Sequence, residues 1–228
     1  MKNSIIRLFC IIAAVVLIFA IGISFVKPDI ENYISISGEY EDNIGNAMKY
    51  RYNLPKINAN TAYAAQVNGE IEEIYDKWIN PALEAMEKGT SAVTIGSGWR
   101  RSSFNGITSV ILTVKSDWDI DAIHIYNFDS KWNRADNSAV LSAVGMTEEE
   151  FVEKARAVLD KETDLDVEGR SEEIINSVNE VREMTLSPEN CNADMPIAVT
   201  KDGNIEFLAK VYSIAGAGYY NRIFEIAG

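Results

Sequence analysis

The sequence predicts an α+β protein in which helices pack on an antiparallel sheet, preceded by one N-terminal transmembrane or signal helix. Strand-like runs come first, amphipathic helices fill the middle, and strand-like runs return at the end. This order is typical of α+β folds and differs from the alternation of parallel βαβ units. A strong hairpin signal, Asn105-Gly106, joins two of the early runs. The third observation is a long uncharged run at the N terminus.

That run, residues 8–26, follows Lys2 and Arg7 and ends at Lys27-Pro28. As a helix it would be about 28 Å long, close to the thickness of the hydrocarbon core of a bilayer. Small residues near its end also suit a cleaved secretory signal. Both alternatives stay open, and both place the rest of the chain outside the cytoplasm. We therefore expect a single-pass cell-membrane protein or a secreted one.

The chain divides into three predicted parts. Residues 1–27 form the membrane anchor or signal peptide, and residues 28–47 form a polar stalk with a short strand at 33–36. Residues 48–228 form the exported α+β domain. Its predicted strands cover residues 48–57, 91–100, 107–115, 120–128, 195–200, 205–213 and 219–226.

Three longer helices are predicted from apolar residues at helical spacing. The first covers residues 61–88, with Asn58 or Asn60 as cap, Pro81 as its end or kink, and Trp78 buried against the sheet. Burial at Trp78 would make Trp78→Ala cost about 3–5 kcal/mol. A short helix covers residues 137–144. The other two long helices, 148–161 and 171–182, carry cap signals: Thr147 with Glu150 as a capping box, and Ser171.

The charge balance excludes one class of partner. The chain has a formal net charge of −13. Removing residues 1–27, which hold three basic residues and no acidic one, leaves about −16. Nucleic-acid binding needs a basic surface that neutralises phosphates, so we expect none. The acidity either keeps the exported domain soluble or steers a cationic partner toward it.

Few residues suit catalysis or metal binding. One histidine and two cysteines are too few for a zinc site built from these ligands. His124 sits within an alternating strand and is interpreted as structural, and Cys191 as a partly buried free thiol. The run Asp117, Asp119, Asp121 lacks the glycine and glutamate of a calcium loop, so turn roles are expected. We predict no enzyme activity, cofactor or metal.

Two segments are candidate binding surfaces. Trp99, Arg100 and Phe104 lie beside the Asn105-Gly106 turn and are residue types that anchor interfaces. Tyr219 and Tyr220 follow a run of glycines and offer amphipathic contact area. Ordinary structural roles, a core-facing aromatic in the first case and a bulge in the second, are the alternatives.

The order of several segments resembles a known family. These are MKYRYNLPKI, GEIEEIYDKW, NGITSVILTV, IHIYNFD, VGMTEEEFVEKA and MPIAVTKDGNIEFLAKVYSIAGAGYY. Over about residues 48–226 the chain resembles the exported domain of unknown function shared by RsiV-type lysozyme-sensing anti-sigma factors and PdaC-type peptidoglycan deacetylases. We expect neither the sigma-binding nor the deacetylase domain in this chain, because only residues 1–7 precede the apolar run and only one histidine is present. The resemblance therefore implies only an exported module of Gram-positive type.

From these observations we expect a non-catalytic binding or sensing module at the bacterial cell surface. Its ligand would be a cationic wall-directed protein such as lysozyme, or the wall itself. The alternatives are a small cell-wall hydrolase with paired carboxylates and a scaffold subunit of a membrane complex. The sequence does not select the ligand, the oligomeric state or the fate of the N-terminal segment.

Overall fold

The computed structural model describes residues 29–41, 45–90, 94–116, 121–214 and 218–228. The predicted membrane anchor or signal peptide, residues 1–27, lies outside these ranges. Among the described residues there is no helix with the length and apolar character needed to cross a bilayer.

The strands form two sheets. Sheet 1 contains five strands in chain order: β1 (Ile30–Glu41), β2 (Ala47–Ile57), β3 (Thr94–Phe104), β4 (Ile107–Ser116) and β5 (Ala122–Phe128). Adjacent strands of sheet 1 are antiparallel, with one exception. β2 and β3 are parallel, and Arg51 lies opposite Gly96 in their register. Sheet 2 is antiparallel and contains β6 (Ile197–Val199), β7 (Ile205–Tyr212) and β8 (Tyr219–Ile226).

The helices lie between strands in the chain. The first helical stretch is α1 (Ala62–Ile74), a π-helical turn (Tyr75–Ile79) and α2 (Asn80–Glu87). The second group is α3 (Asn137–Val144), α4 (Glu148–Glu162) and α5 (Glu172–Thr185). The α+β class predicted from the sequence is therefore confirmed, with a mixed sheet and a separate antiparallel sheet in place of the one antiparallel sheet expected.

The predicted stalk is wrong where the structure describes it. Residues Ile30–Glu41 form a twelve-residue strand paired along its length with β2. Its side chains are exposed or half-buried except that of Ile30. Its apolar residues Ile34, Ile36 and Tyr40 alternate with polar ones, but Gly38 interrupts the row and polar residues surround it, so the sequence showed only the short 33–36 segment.

The helix over residues 61–88 differs from its prediction in two details. Thr61, not an asparagine, caps it, and its hydroxyl accepts from the Ala64 N–H at 3.1 Å. Pro81 does not end the helical path, because it falls in the first turn of α2, where its missing N–H is not needed. Trp78 lies in the π-helical turn and packs, partly buried, against the core under sheet 1, in agreement with the prediction, and the Lys77 ammonium lies 4.7 Å from its ring centre.

Local signals elsewhere are confirmed. Asn105 and Gly106 both have positive φ, 44° and 83°, as the tight turn between β3 and β4 requires. Thr147 and Glu150 form the capping box of α4. Ser171 caps α5.

Two apolar cores hold the chain together. One lies between sheet 1 and the α1–α2 stretch and includes Tyr52, Leu54, Ile71, Leu112 and Phe128. The other lies between sheet 2 and α3–α5 and includes Leu141, Phe151, Leu159, Ile197 and Phe207. Each sheet therefore has one face covered by its own helices. The two sheets meet where β6 contacts β3, β4 and β5.

Where the sheets meet, polar side chains of sheet 1 form hydrogen bonds with the backbone groups on the unpaired edge of β6. Asn127 Nδ2 donates to the Ile197 carbonyl at 2.8 Å, and Ser109 Oγ donates to Asn127 Oδ1 at 2.6 Å. The Val199 N–H donates to Ser109 Oγ at 3.0 Å, and Ser102 Oγ donates to the Val199 carbonyl. Ser109 and Asn127 are buried. Because side chains take the place of a neighbouring strand, the two sheets pack without merging.

Removing this connection should destabilise the whole protein. Asn127→Leu keeps a similar volume but leaves the Ile197 carbonyl and the Ser109 hydroxyl without their buried partner. An unsatisfied buried polar group costs about 1–3 kcal/mol. We expect urea unfolding to show a loss of this size. Asn133→Leu is the matched control, because Asn133 is exposed and its side chain bonds only to Asp129 at the surface. Equal unfolding free energies for the two variants would contradict the role of Asn127.

Candidate functional site

An open groove of about 530 Å³ lies on sheet 1, on the face turned away from α1. Alternation along the strands places the core side chains, such as those of Tyr52 and Leu112, on the helix side. The residues between them point to the opposite face. The side chains that line the groove are therefore those of Lys49, Arg51, Arg100, Ile111, Thr113 and Lys115. We call this surface, with Gly96 and Gly98 on its floor, the basic groove.

Two glycines make the floor of the basic groove a bare backbone. Gly96 lies between Arg51 on β2 and Lys115 on β4, and Gly98 lies opposite Thr113. A Cβ atom at Gly98 would meet nothing within 4 Å, whereas one at Gly96 would come within 3.2 Å of the Arg51 carbonyl oxygen. The space above Gly98 is therefore open to a ligand.

The charge of the basic groove is positive although the chain is acidic. Lys49, Arg51 and Lys115 are exposed and form no ion pair with any residue in the described part of the chain. Lys49 lies opposite Glu39 in the register of β1 and β2, but the two side chains do not form an ion pair. Within the described ranges, these three cations are therefore not ion-paired.

Arg100, a predicted binding residue, is held at one side of the groove. Its Nη1 and Nη2 atoms donate to the two carboxylate oxygens of Glu206 at 2.6 and 2.7 Å. Glu206 is on β7, so this bidentate pair joins sheet 1 to sheet 2. The Arg100 side chain is 48 % exposed and the Glu206 side chain 12 %. The guanidinium is therefore oriented by its partner while one surface still faces the groove.

Trp99 does not share this surface with Arg100. Adjacent residues of a strand point to opposite faces. The Trp99 side chain packs against the core under α1, and its Nε1 donates to Asn32 Oδ1 at 3.1 Å. Only its backbone borders the groove. The structure therefore separates two side chains that the sequence grouped together.

Phe104 is half-buried and packs on the core of sheet 2. Its ring lies so close to Gly203 that a Cβ atom there would come within 2.7 Å of it. The turn that follows is tied to α3, since Asn105 Nδ2 donates to the Ala143 carbonyl at 2.8 Å. The structural alternative for Phe104, a core-facing aromatic, matches this position.

Tyr219 and Tyr220 begin β8, and alternation points them to opposite faces. The Tyr219 ring centre lies 5.7 Å from that of Tyr212, and the Lys210 ammonium lies 5.0 Å from it. Tyr220 is 45 % exposed. The glycine-containing segment 215–217 before them lies outside the described residues.

A second cavity, of about 560 Å³, contains several carboxylates, which the alternative of a hydrolase would require. It is lined by Asp136, Glu148 and Asp194 together with Arg134. Asp136 is the cap of α3, and hydrogen bonds from Ala139 and Ser138 lower its pKa. A general acid at neutral pH requires a raised pKa. Asp136 therefore suits a structural role.

The remaining candidates for chemistry also have structural surroundings. His124 is half-buried in β5 with its ring parallel to that of Tyr126, and burial lowers its pKa, so the imidazole is neutral at pH 7. Asp121 Oδ1 accepts from the Ser116 N–H at 3.0 Å, while Asp117 and Asp119 lie outside the described residues. Cys191 is a buried thiol whose pKa is raised by burial. Within the described ranges no three His, Cys, Asp or Glu side chains are grouped to hold a metal ion.

The basic groove was missed in the sequence, although one signal was present. In MKYRY, basic and aromatic residues alternate, which places Lys49 and Arg51 on one face of a strand. Their partners, Arg100 and Lys115, are more than 45 residues away in the chain. The parallel pairing of β2 with β3 brings them together, and no local pattern predicts that pairing.

Comparisons with known proteins give distant structural likenesses. No protein-family model matches the chain, and no curated protein matches it. The crystal structure of a DUF3298 family protein from Bacteroides fragilis is 12 % identical, covers 88 % of this chain and 90 % of its own, and gives a TM-score of 0.40. That of a DUF3298 family protein from Pseudomonas aeruginosa is 13 % identical with the same coverage and a TM-score of 0.43.

DUF3298, the family of both proteins, is named as a domain of unknown function. Likeness at this level assigns neither an activity nor a ligand to this chain. The resemblance to RsiV-type sensors and PdaC-type deacetylases stays a prediction.

Proposed function

We propose that the chain is a non-catalytic binding module of the bacterial cell surface and that it binds a wall component in the basic groove. The observation that carries this proposal is the combination of an open backbone floor with three exposed cations that have no ion pair among the described residues. Exposed charges that only aid solubility need no concave surface between them. A groove with a bare floor instead lets a ligand approach the strands closely.

Rigidity supports a binding role for the groove. Its floor is the centre of a five-stranded sheet, and its edge is fixed by the Arg100–Glu206 pair. Sites on rigid elements lose little conformational entropy when a ligand binds. The side chains on its outer face are lysines, arginines, a threonine and an isoleucine, and the serine that borders it, Ser97, is hydrogen-bonded to the backbone of Asn53. The described lining therefore has no nucleophile beside a general base.

Filling the floor should abolish binding without disturbing the fold. Gly98→Val places a β-branched side chain, which suits a strand, into space where a Cβ atom meets nothing within 4 Å. We expect the purified full chain to co-sediment with isolated bacterial cell walls, and we expect Gly98→Val to reduce the bound fraction about tenfold at an unchanged unfolding midpoint.

The control for this experiment is Ser103→Val, an exposed position on the same strand outside the groove. It should leave wall binding unchanged. Equal wall binding by Gly98→Val and the parent chain would overturn the proposed function.

Localisation outside the cytoplasm is part of the proposal and rests on residues 8–26 with Lys2 and Arg7 before them. Protease added to intact protoplasts should digest residues 29–228 of a membrane-held chain. A cytoplasmic marker protein should survive in the same sample. Full protection of the chain until the membrane is lysed would contradict this placement.

A second candidate function is capture of a cationic wall-directed protein, and the net charge of −13 favours it. Acidic residues also crowd the exposed first turns of α4 and α5, as at Glu148, Glu149, Glu172 and Glu173. Electrostatic steering by such a surface would accelerate association with a basic protein.

Salt dependence tests this second candidate. The Debye length falls from about 10 Å at 0.1 M salt to about 3 Å at 1 M. The association rate of the full chain with a lysozyme-type protein should therefore fall steeply between these concentrations. Glu172→Gln with Glu173→Gln should slow association at low salt, whereas Gly98→Val should not. If no association occurs at low salt, the acidity has no role in capturing a cationic protein.

A further inference from the structure

We infer that the ligand of the basic groove is an extended polymer that carries phosphate groups along a flexible chain. This inference rests on the proposed function and specifies its ligand. It starts from the arrangement of the cations. Arg51, Gly96 and Lys115 are register partners on three neighbouring strands. Strands lie about 4.8 Å apart, so the backbones that carry the two cations are about 10 Å apart, with only a glycine between them.

This gap has the shape of an anion site. Long side chains rise on both sides of Gly96, and the residue between them has no side chain to fill the space. A tetrahedral phosphate resting on the backbone can present oxygens to both cations at once. A planar carboxylate is matched best by the paired N–H groups of one arginine. Lysine acts as a point charge that binds phosphate without this fork geometry. A lysine facing an arginine therefore favours phosphate.

More than one phosphate is needed to use the whole groove. Lys49 lies two residues before Arg51 on the same face, about 7 Å farther along the strand. Thr113 and the Arg100–Glu206 pair continue the groove on the other side of Gly98. A single inorganic phosphate could reach only two of the three cations. A chain with repeated phosphate groups could contact all three.

Two other polyanions fit less well. Proteins that bind single-stranded nucleic acid use aromatic side chains that stack with the bases. Here Trp99 packs on the opposite face of the sheet and cannot stack with bases in the groove. A membrane surface is broad and flat, whereas these cations surround a concave floor. The observations therefore favour a flexible phosphate polymer without bases.

The test uses the full chain in mild detergent and medium-length inorganic polyphosphate as the probe, with calorimetric titration as the measurement. We expect binding that weakens about tenfold or more in Lys115→Glu and in Arg51→Glu, because each reversal replaces a phosphate contact by repulsion. Lys201→Glu is the matched control. It makes the same change in net charge at an exposed lysine outside the groove, paired with Asp202. Only variants whose unfolding midpoint equals that of the parent chain are compared.

Parallel titrations separate the ligand classes. Polyglutamate presents carboxylates, orthophosphate presents one phosphate, and phosphatidylglycerol vesicles present phosphates on a surface. Each should bind at least about tenfold more weakly than polyphosphate. Equal binding of polyglutamate or of the vesicles would overturn the assignment to a phosphate polymer. Equal effects of Lys115→Glu and Lys201→Glu would overturn the assignment to the groove.

Failure of this inference is distinguishable from failure of the proposed function. If Gly98→Val prevents wall binding but polyphosphate does not bind the parent chain, the groove binds another wall component and only the phosphate assignment is wrong. If Gly98→Val leaves wall binding unchanged, the groove is not the binding surface, and the proposed function fails with it.

Discussion

The structure depends on how the free edge of β6 is satisfied. This strand has three residues and pairs on one side only, with β7. On its other side the backbone groups of Ile197 and Val199 bond to the side chains of Asn127, Ser109 and Ser102. A buried edge without such partners would be too costly to persist. These side chains fix where sheet 2 meets sheet 1 and prevent the two sheets from joining into one.

The basic groove follows from this arrangement. Sheet 2 rests on one end of the outer face of sheet 1, around Ser109 and Asn127, and leaves the other end open. Arg100 lies at the boundary, where Glu206 of sheet 2 holds it. The open end carries Lys49, Arg51 and Lys115 around a glycine floor. A positive surface can therefore exist on a chain whose net charge is −13, because burial and pairing determine local charge more than composition does.

The two cores divide the chain in a way that suits a binding module. Sheet 1 and the α1–α2 stretch form one packed layer pair, and sheet 2 with α3–α5 forms the other. The helix side of sheet 1 is mostly covered by apolar contacts with α1 and α2, whereas its outer face carries the basic groove. The acidic helices α4 and α5 pack on sheet 2.

The sequence by itself determined the local structure. Apolar residues at helical or alternating spacing located most strands and helices, and short-range hydrogen bonding located the Asn105-Gly106 turn and the caps at Thr147 and Ser171. These features depend on residues a few positions apart. Most of the edge strand β1 was missed because its apolar row, Ile34, Ile36 and Tyr40, is short and interrupted by Gly38.

Tertiary structure alone decided the number of sheets and the position of the groove. The parallel pairing of β2 with β3 joins segments separated by α1 and α2 and brings Arg51 beside Gly96. The same strand geometry sends Trp99 and Arg100 to opposite faces, although they are neighbours in the chain. Local spacing does not encode pairings over such distances, because they follow from which faces must be buried and which edges must be satisfied.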